Sequence, residues 1–207
     1  MEFAIWLRFF AAAWAISLSP GAGAVAAMSA GVNHGFARGY FMTFGLVLGI
    51  WTQVVVVGLG LGALIAASSL AFAAVKWAGV GYLVWLGIKQ WRAPLTPVVV
   101  ATEEGQVTRR TLVLRGWMVN AVNPKGTVFL LAVVPQFLDL AQPLAPQYGV
   151  IGATLMFTDL VVMAGYTALA SRLLRLLKSP LQIRALNRLF GSLFVAAAAF
   201  LALFKRA

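Results

Sequence analysis

The sequence predicts an all-α integral membrane protein with six transmembrane helices, arranged as a 3+3 inverted repeat with broken helices. Three observations carry that expectation. Of the 207 residues, 62% are hydrophobic and 10% charged, whereas soluble domains carry about 25% charged residues. The apolar residues run in blocks of about 20, the length a helix needs to cross the hydrocarbon. The basic residues gather in alternate connections between those blocks, as the positive-inside rule requires.

The first span is expected from about Phe3 to Met28 and the second from about Tyr40 to Ala67. After a turn at Ser68–Ser69, the third runs from about Leu70 to Trp91. These make a first three-helix half, residues 1–91. A cytoplasmic linker over residues 92–110 contains Pro94, Pro97 and the Glu103–Glu104 pair. Residues 111–207 form the second half, with spans at about Leu112–Leu138, Gly149–Leu169 and Leu186–Phe204. The first block lacks the clean basic flank and cleavage site of a signal peptide, since Glu2 opens it and Arg8 sits within it.

Charge then orients the chain. Arg38 lies in the first connection. Lys89, Arg92, Arg109, Arg110 and Arg115 surround the third, and Arg172, Arg175, Lys178, Arg184 and Arg188 the fifth. The opposite side has only Arg8, Lys76, Lys205 and Arg206. The richer side is therefore cytoplasmic, and both termini are expected outside it. A formal net charge of +11 is then a matter of topology and anionic lipid headgroups, with no nucleic acid implied. A repeated three-span unit must be inverted, a common transporter plan. Lys76-Trp-Ala-Gly-Val-Gly-Tyr-Leu and Asn187-Arg-Leu-Phe-Gly-Ser-Leu-Phe are weakly similar markers of the two halves.

The candidate site residues are those that disturb an apolar helix. Pro20 removes a backbone donor, and Gly21 and Gly23 allow close approach. Ser19-Pro20-Gly21 reads either as a simple kink or as a helix break whose freed backbone groups bind an amino-acid headgroup. Asn123-Pro124-Lys125-Gly126 has the same mechanics with added polarity. Lys125 is either an interfacial anchor that snorkels to water or a partner for a carboxylate. Asp159 is the sharpest single residue, an acid near the centre of the fifth span, and it requires a cavity or a partner. Thr158 adjoins it, and Tyr166 lies about two turns further on the same helix. Thr52, Gln53, Asn33 and His34 are weaker candidates. Gly45 and Gly49, four apart, suit either internal packing or a dimer face.

No Walker loop, dinucleotide fingerprint or HExxH site occurs. There is no cysteine, so cysteine-based metal sites are excluded. Gly58-Leu-Gly-Leu-Gly lies inside a span and is no phosphate loop. The expectation is a transporter with no cofactor, not an enzyme.

These motifs together resemble the LysE/RhtB family of amino-acid exporters across nearly the whole chain. The resemblance rests on Pro20-Gly-Ala-Gly-Ala, the glycine-rich second span, and Lys76-Trp-Ala-Gly-Val-Gly-Tyr-Leu-Val-Trp-Leu-Gly. Asn120-Ala-Val-Asn-Pro-Lys-Gly, Pro135-Gln-Phe, Asp159 and Asn187-Arg-Leu-Phe-Gly-Ser-Leu-Phe complete it. The homoserine and homoserine-lactone efflux branch is the nearest in pattern. Two positions depart from many family members. Ala22 stands where a second proline is common, which implies a milder break, and Ile50 stands where an acid is common. The resemblance implies secondary export of homoserine, homoserine lactone, threonine or a related small neutral amino acid, by proton antiport, across the bacterial inner membrane. It implies substrate binding or gating at Pro20, Gly21, Gly23, Asn123, Pro124 and Lys125. Proton coupling or cavity roles fall to Asp159, Thr158 and Tyr166. The implied partners are the substrate, protons, anionic lipids and a second copy in a homodimer. Export of leucine, lysine or another metabolite is the nearest alternative, and a non-transporting membrane scaffold a more distant one.

Overall fold

The computed structural model describes residues 1–67, 69–93, 107–173 and 180–203. Most of the 92–110 linker, with Pro94, Pro97 and Glu103–Glu104, lies outside the described residues. So do Ser68, Arg175, Lys178, Lys205, Arg206 and the side chain of Lys76. The described residues form helices and connections, with no strand among them.

Eight α-helices follow in order: α1 Phe3–Leu18, α2 Ala22–Gly39, α3 Phe41–Ala67, α4 Ser69–Trp91, α5 Arg109–Ala121, α6 Pro124–Ala132, α7 Leu144–Leu173 and α8 Pro180–Leu203. A 3-10 turn, Val134–Phe137, follows α6. The first and fourth apolar blocks are thus each divided. Ser19 is extended (φ −75°, ψ 119°), the conformation that a following proline imposes. Gly21 is extended as well, and the chain bends by 55° between α1 and α2. Ala22 in place of a proline therefore does not spare the helix. In the fourth block Asn123 caps α6 by accepting a hydrogen bond from the Lys125 amide at 3.1 Å. Pro124 occupies the first turn, where its missing N–H is harmless. The bend between α5 and the segment that follows is 49°.

By length and apolarity α3 and α7 pass as membrane spans, and the two bent pairs bring the number to four. Large apolar side chains such as Val56, Leu59, Phe157 and Leu189 face outward, as a lipid-facing surface requires. A separate bend occurs in α2 at Gly35, whose φ of 70° is the one positive value among the described residues. Glycine alone adopts that conformation without steric cost.

Helix α3 lies along α5, α4 along α8 and α2 along α7. The first contact is backbone on backbone. A Cβ at Gly45 would strike the Val113 carbonyl, and one at Gly116 the Met42 carbonyl. A Cβ at Gly49 would lie 2.7 Å from the Ala121 nitrogen. Gly45 and Gly49 therefore serve internal packing, where small residues let helices approach in lipid. Gly31 does the same for α2, where a Cβ would stand 2.5 Å from the Thr167 carbonyl of α7. Two apolar clusters result. One gathers around Phe9, Phe137, Ile151 and Phe194, the other around Ala27, Leu46, Leu112 and Met163.

Because these crossings have no slack, Gly45→Val should overpack α3 against α5. The expected cost is about 1–3 kcal/mol, read as a lower thermal midpoint of the purified protein in detergent. Gly60→Val, at a position open to its surroundings, should leave the midpoint close to that of the parent.

Candidate functional site

The two breaks meet at one cavity, where the two apolar clusters join. Its volume is about 60 Å³. Ser17, Ser19, Gly21 and Gly23 come from the first break and its flanks. Asn120, Asn123, Lys125 and Gly126 come from the second, Gln53 from α3 and Asp159 from α7. Ile16, Ile50, Leu130, Leu155 and Met163 supply apolar wall.

The chemistry of the first break begins with Pro20. In an unbroken helix the Ile16 carbonyl would accept from the backbone N–H four residues on. That residue is Pro20, which has none. The Lys125 ammonium takes its place, donating to the Ile16 carbonyl at 2.9 Å. It also donates to the Ser19 carbonyl and stands 5.4 Å from the centre of the Phe194 ring. The Leu18 carbonyl is similarly taken by the Tyr166 hydroxyl, at 2.7 Å. Gly21 permits this arrangement, since a Cβ there would lie 3.1 Å from Lys125 Cδ.

The second break is secured from α3. Gln53 Nε2 donates to the Asn123 carbonyl at 2.8 Å and to Thr127 Oγ1 at 3.1 Å. Asn120 Nδ2 donates to the Leu46 carbonyl at 2.8 Å, and Asn123 Nδ2 donates to Asn120 Oδ1 at 3.0 Å. Gly126 is needed because a Cβ would run into Gln53 Oε1.

Asp159 faces the end of α1. It lines the same cavity as Ser17 and Lys125, and the ammonium attracts its carboxylate. Ser17 Oγ and Thr158 Oγ1 share a hydrogen bond of 2.9 Å. The cavity thus presents one amine, one carboxylate and several amides against an apolar wall. This is the layout of a small zwitterion site, polar at fixed points and apolar elsewhere.

Of the residues expected from sequence, Gly21, Gly23, Asn123, Lys125 and Asp159 line this cavity. Pro20 and Pro124 stand behind it and make the breaks. Thr158 is fully buried against Ser17, and Tyr166 ties α7 to α1. Lys125 points inward to backbone carbonyls, so it does not snorkel to water. Sequence reasoning missed Ser17, Ser19 and Asn120 and undervalued Gln53. A polar residue one to four positions from a helix-breaking proline was the available signal for Ser17, Ser19 and Asn120.

The chain matches the model of LysE type translocators over residues 14–204. It is 43% identical over 202 residues to a homoserine/homoserine lactone efflux protein of Salmonella typhimurium, covering 98% of each chain. An uncharacterized membrane protein of Vibrio cholerae is 41% identical over 207 residues, covering 99% of this chain and all of that one. A leucine efflux protein of an Enterobacter species is 28% identical over 192 residues, covering 92% of this chain and 91% of that one. No solved structure gives a significant match. The chain belongs to the LysE-type translocator family. It is a multi-pass transporter of the bacterial inner membrane, not an enzyme.

If Gln53 holds the second break, Gln53→Leu should leave the Asn123 carbonyl to Thr127 alone. The two hydrogen bonds lost are worth about 0.5–1.5 kcal/mol each. The thermal midpoint should fall accordingly, while Thr52→Val, one position along, should change it less.

Proposed function

We propose that the protein is a secondary exporter of homoserine and homoserine lactone, with threonine and related small neutral amino acids as further substrates, and that proton antiport drives it. The carrying observation is the pairing of Lys125 and Asp159 in one cavity between two broken helices. An α-amino acid brings a carboxylate and an ammonium, and these complement the two side chains. Pro20, Gly21, Gly23, Asn123 and Pro124 shape and gate the site by keeping its two breaks. The efflux relatives at 43% identity support this substrate class. The apolar wall and the leucine efflux relatives favour leucine as the second reading.

In this reading α4 and α8 complete six spans, each bent pair being one. The chain is then a 3+3 inverted repeat, with both termini outside and the arginine-rich connections against anionic cytoplasmic headgroups. Substrate enters from the cytoplasm, its ammonium towards Asp159 and its carboxylate towards Lys125. Rocking of the two halves exposes it on the other side. A proton taken up by Asp159 from outside removes the negative charge that held the substrate and accompanies the return. The hydrogen bond between Ser17 and Thr158 ties α1 to α7 next to Asp159 in the chain, and Tyr166 keeps α7 against the end of α1.

Labelled homoserine in proteoliposomes with an imposed pH gradient tests the proposal. Gradient-dependent accumulation, competed by threonine more strongly than by leucine, is expected. No flux from folded, correctly oriented protein would reject homoserine as substrate. Asp159→Asn should abolish gradient-driven accumulation and lower homoserine counterflow as well, because the substrate ammonium loses its carboxylate. Full gradient-driven transport by that variant would remove Asp159 from coupling. Lys125→Met should lower homoserine flux at least tenfold, and intact flux would exclude Lys125 from the site.

A further inference from the structure

We propose that Ser19 is a specificity-determining residue, whose hydroxyl binds the γ-oxygen of homoserine and its lactone. This rests on the substrate class proposed above and names the part of the site that reads it.

Apart from Asp159, which meets the substrate ammonium in this reading, the other polar side chains of the cavity already have partners in the protein. Asn120, Asn123 and Gln53 hold one another and nearby carbonyls. Ser17 is bonded to Thr158, and Lys125 to two carbonyls. Ser19 is different. The residue is 1% exposed, it lines the cavity, and its Oγ has no hydrogen-bond partner. Other buried orphan atoms, on Thr43, Gln136, Tyr148 and Thr167, belong to residues outside that wall. A buried hydroxyl without a partner carries the full desolvation cost of the group. Ser19 stands at the end of α1 with its carbonyl on the Lys125 ammonium, so the residue adjoins the group that the substrate carboxylate meets in this reading.

Substrate chemistry brings the γ-oxygen to that place. Homoserine lactone is homoserine whose γ-oxygen has closed onto its own carboxyl carbon. A pose shared by both compounds holds the γ-oxygen next to the carboxyl carbon. In this cavity that position is beside Lys125 and next to Ser19, whose hydroxyl can both donate and accept. The nearby Ile16, Ile50 and Leu130 can do neither. A pocket that hydrogen-bonds a substrate hydroxyl discriminates strongly against the analogue lacking it.

Norvaline is the informative competitor, because a methyl group replaces the homoserine hydroxyl at nearly equal size. Initial flux of labelled homoserine and labelled norvaline would be measured in proteoliposomes for the parent, Ser19→Ala and Ser19→Thr. The parent should prefer homoserine. Ser19→Ala should lower that preference about tenfold, the equivalent of about 1.4 kcal/mol, chiefly through loss of homoserine flux. Ser19→Thr keeps the hydroxyl and should keep the preference. Should Ser19→Ala not assemble, Ser19→Cys, with a weak donor of similar size, is expected to lose preference in the same direction. Equal loss of both fluxes, or an unchanged ratio, would overturn the assignment and leave Ser19 as part of the break only. Failure of the parent to move homoserine would instead overturn the substrate class, and this inference with it.

Discussion

Everything at the centre of this protein depends on the Lys125 ammonium filling the gap that Pro20 leaves in α1. The proline deletes the donor for the Ile16 carbonyl, and Lys125 supplies another from a residue 109 positions away. A charged amine inside a membrane protein needs compensation worth several kcal/mol. Here the end of α1 provides it, because the last carbonyls of a helix carry a partial negative charge. Asp159, across the cavity on α7, adds electrostatic attraction. The break, the lysine and the acid therefore stabilise one another, and removing any of them leaves the other two exposed to a medium that cannot solvate them.

The second break is built on a different economy. Asn123 caps the new helix, and Gln53 reaches across from α3 to take its carbonyl. Neutral amides hold this side and charge holds the other. Close glycine crossings between α3 and α5 bring Gln53 and Asn120 within reach. Packing thus precedes polarity here. Without Gly45, Gly49 and Gly116 the helices would stand too far apart for those amides to meet. The result is a cavity whose wall is mostly apolar but whose few polar atoms are fixed by long-range partners, a preorganised setting for a small zwitterion.

Much of this arrangement was legible in the residues. The third apolar block ended at Trp91 both as expected and as found, because a long apolar run has few other solutions in lipid. Pro20 and Pro124 marked both breaks, since proline acts locally. Asp159 stood out because an acid in an apolar helix must have a reason. Partners were not legible. Gln53 lies 70 residues from Asn123, and Tyr166 lies 148 from Leu18. Helical periodicity says which face a residue occupies, not what faces it. Ser19 looked like a routine neighbour of a proline, and only its burial without a partner sets it apart. Ala22 suggested a milder break, yet one proline together with Gly21 suffices for a bend of 55°.

The central claim is that the space between the two breaks is where substrate sits. The chain has no cysteine, so a single introduced thiol reports without background. The most direct measurement is the rate of maleimide labelling at Ile50→Cys, on the cavity wall, with and without homoserine, in a variant that still transports. Saturating homoserine should slow labelling at position 50 several-fold and leave labelling unchanged at Ala141→Cys, in the exposed connection before α7. Equal labelling at position 50 with and without substrate, in a transport-competent protein, would contradict it.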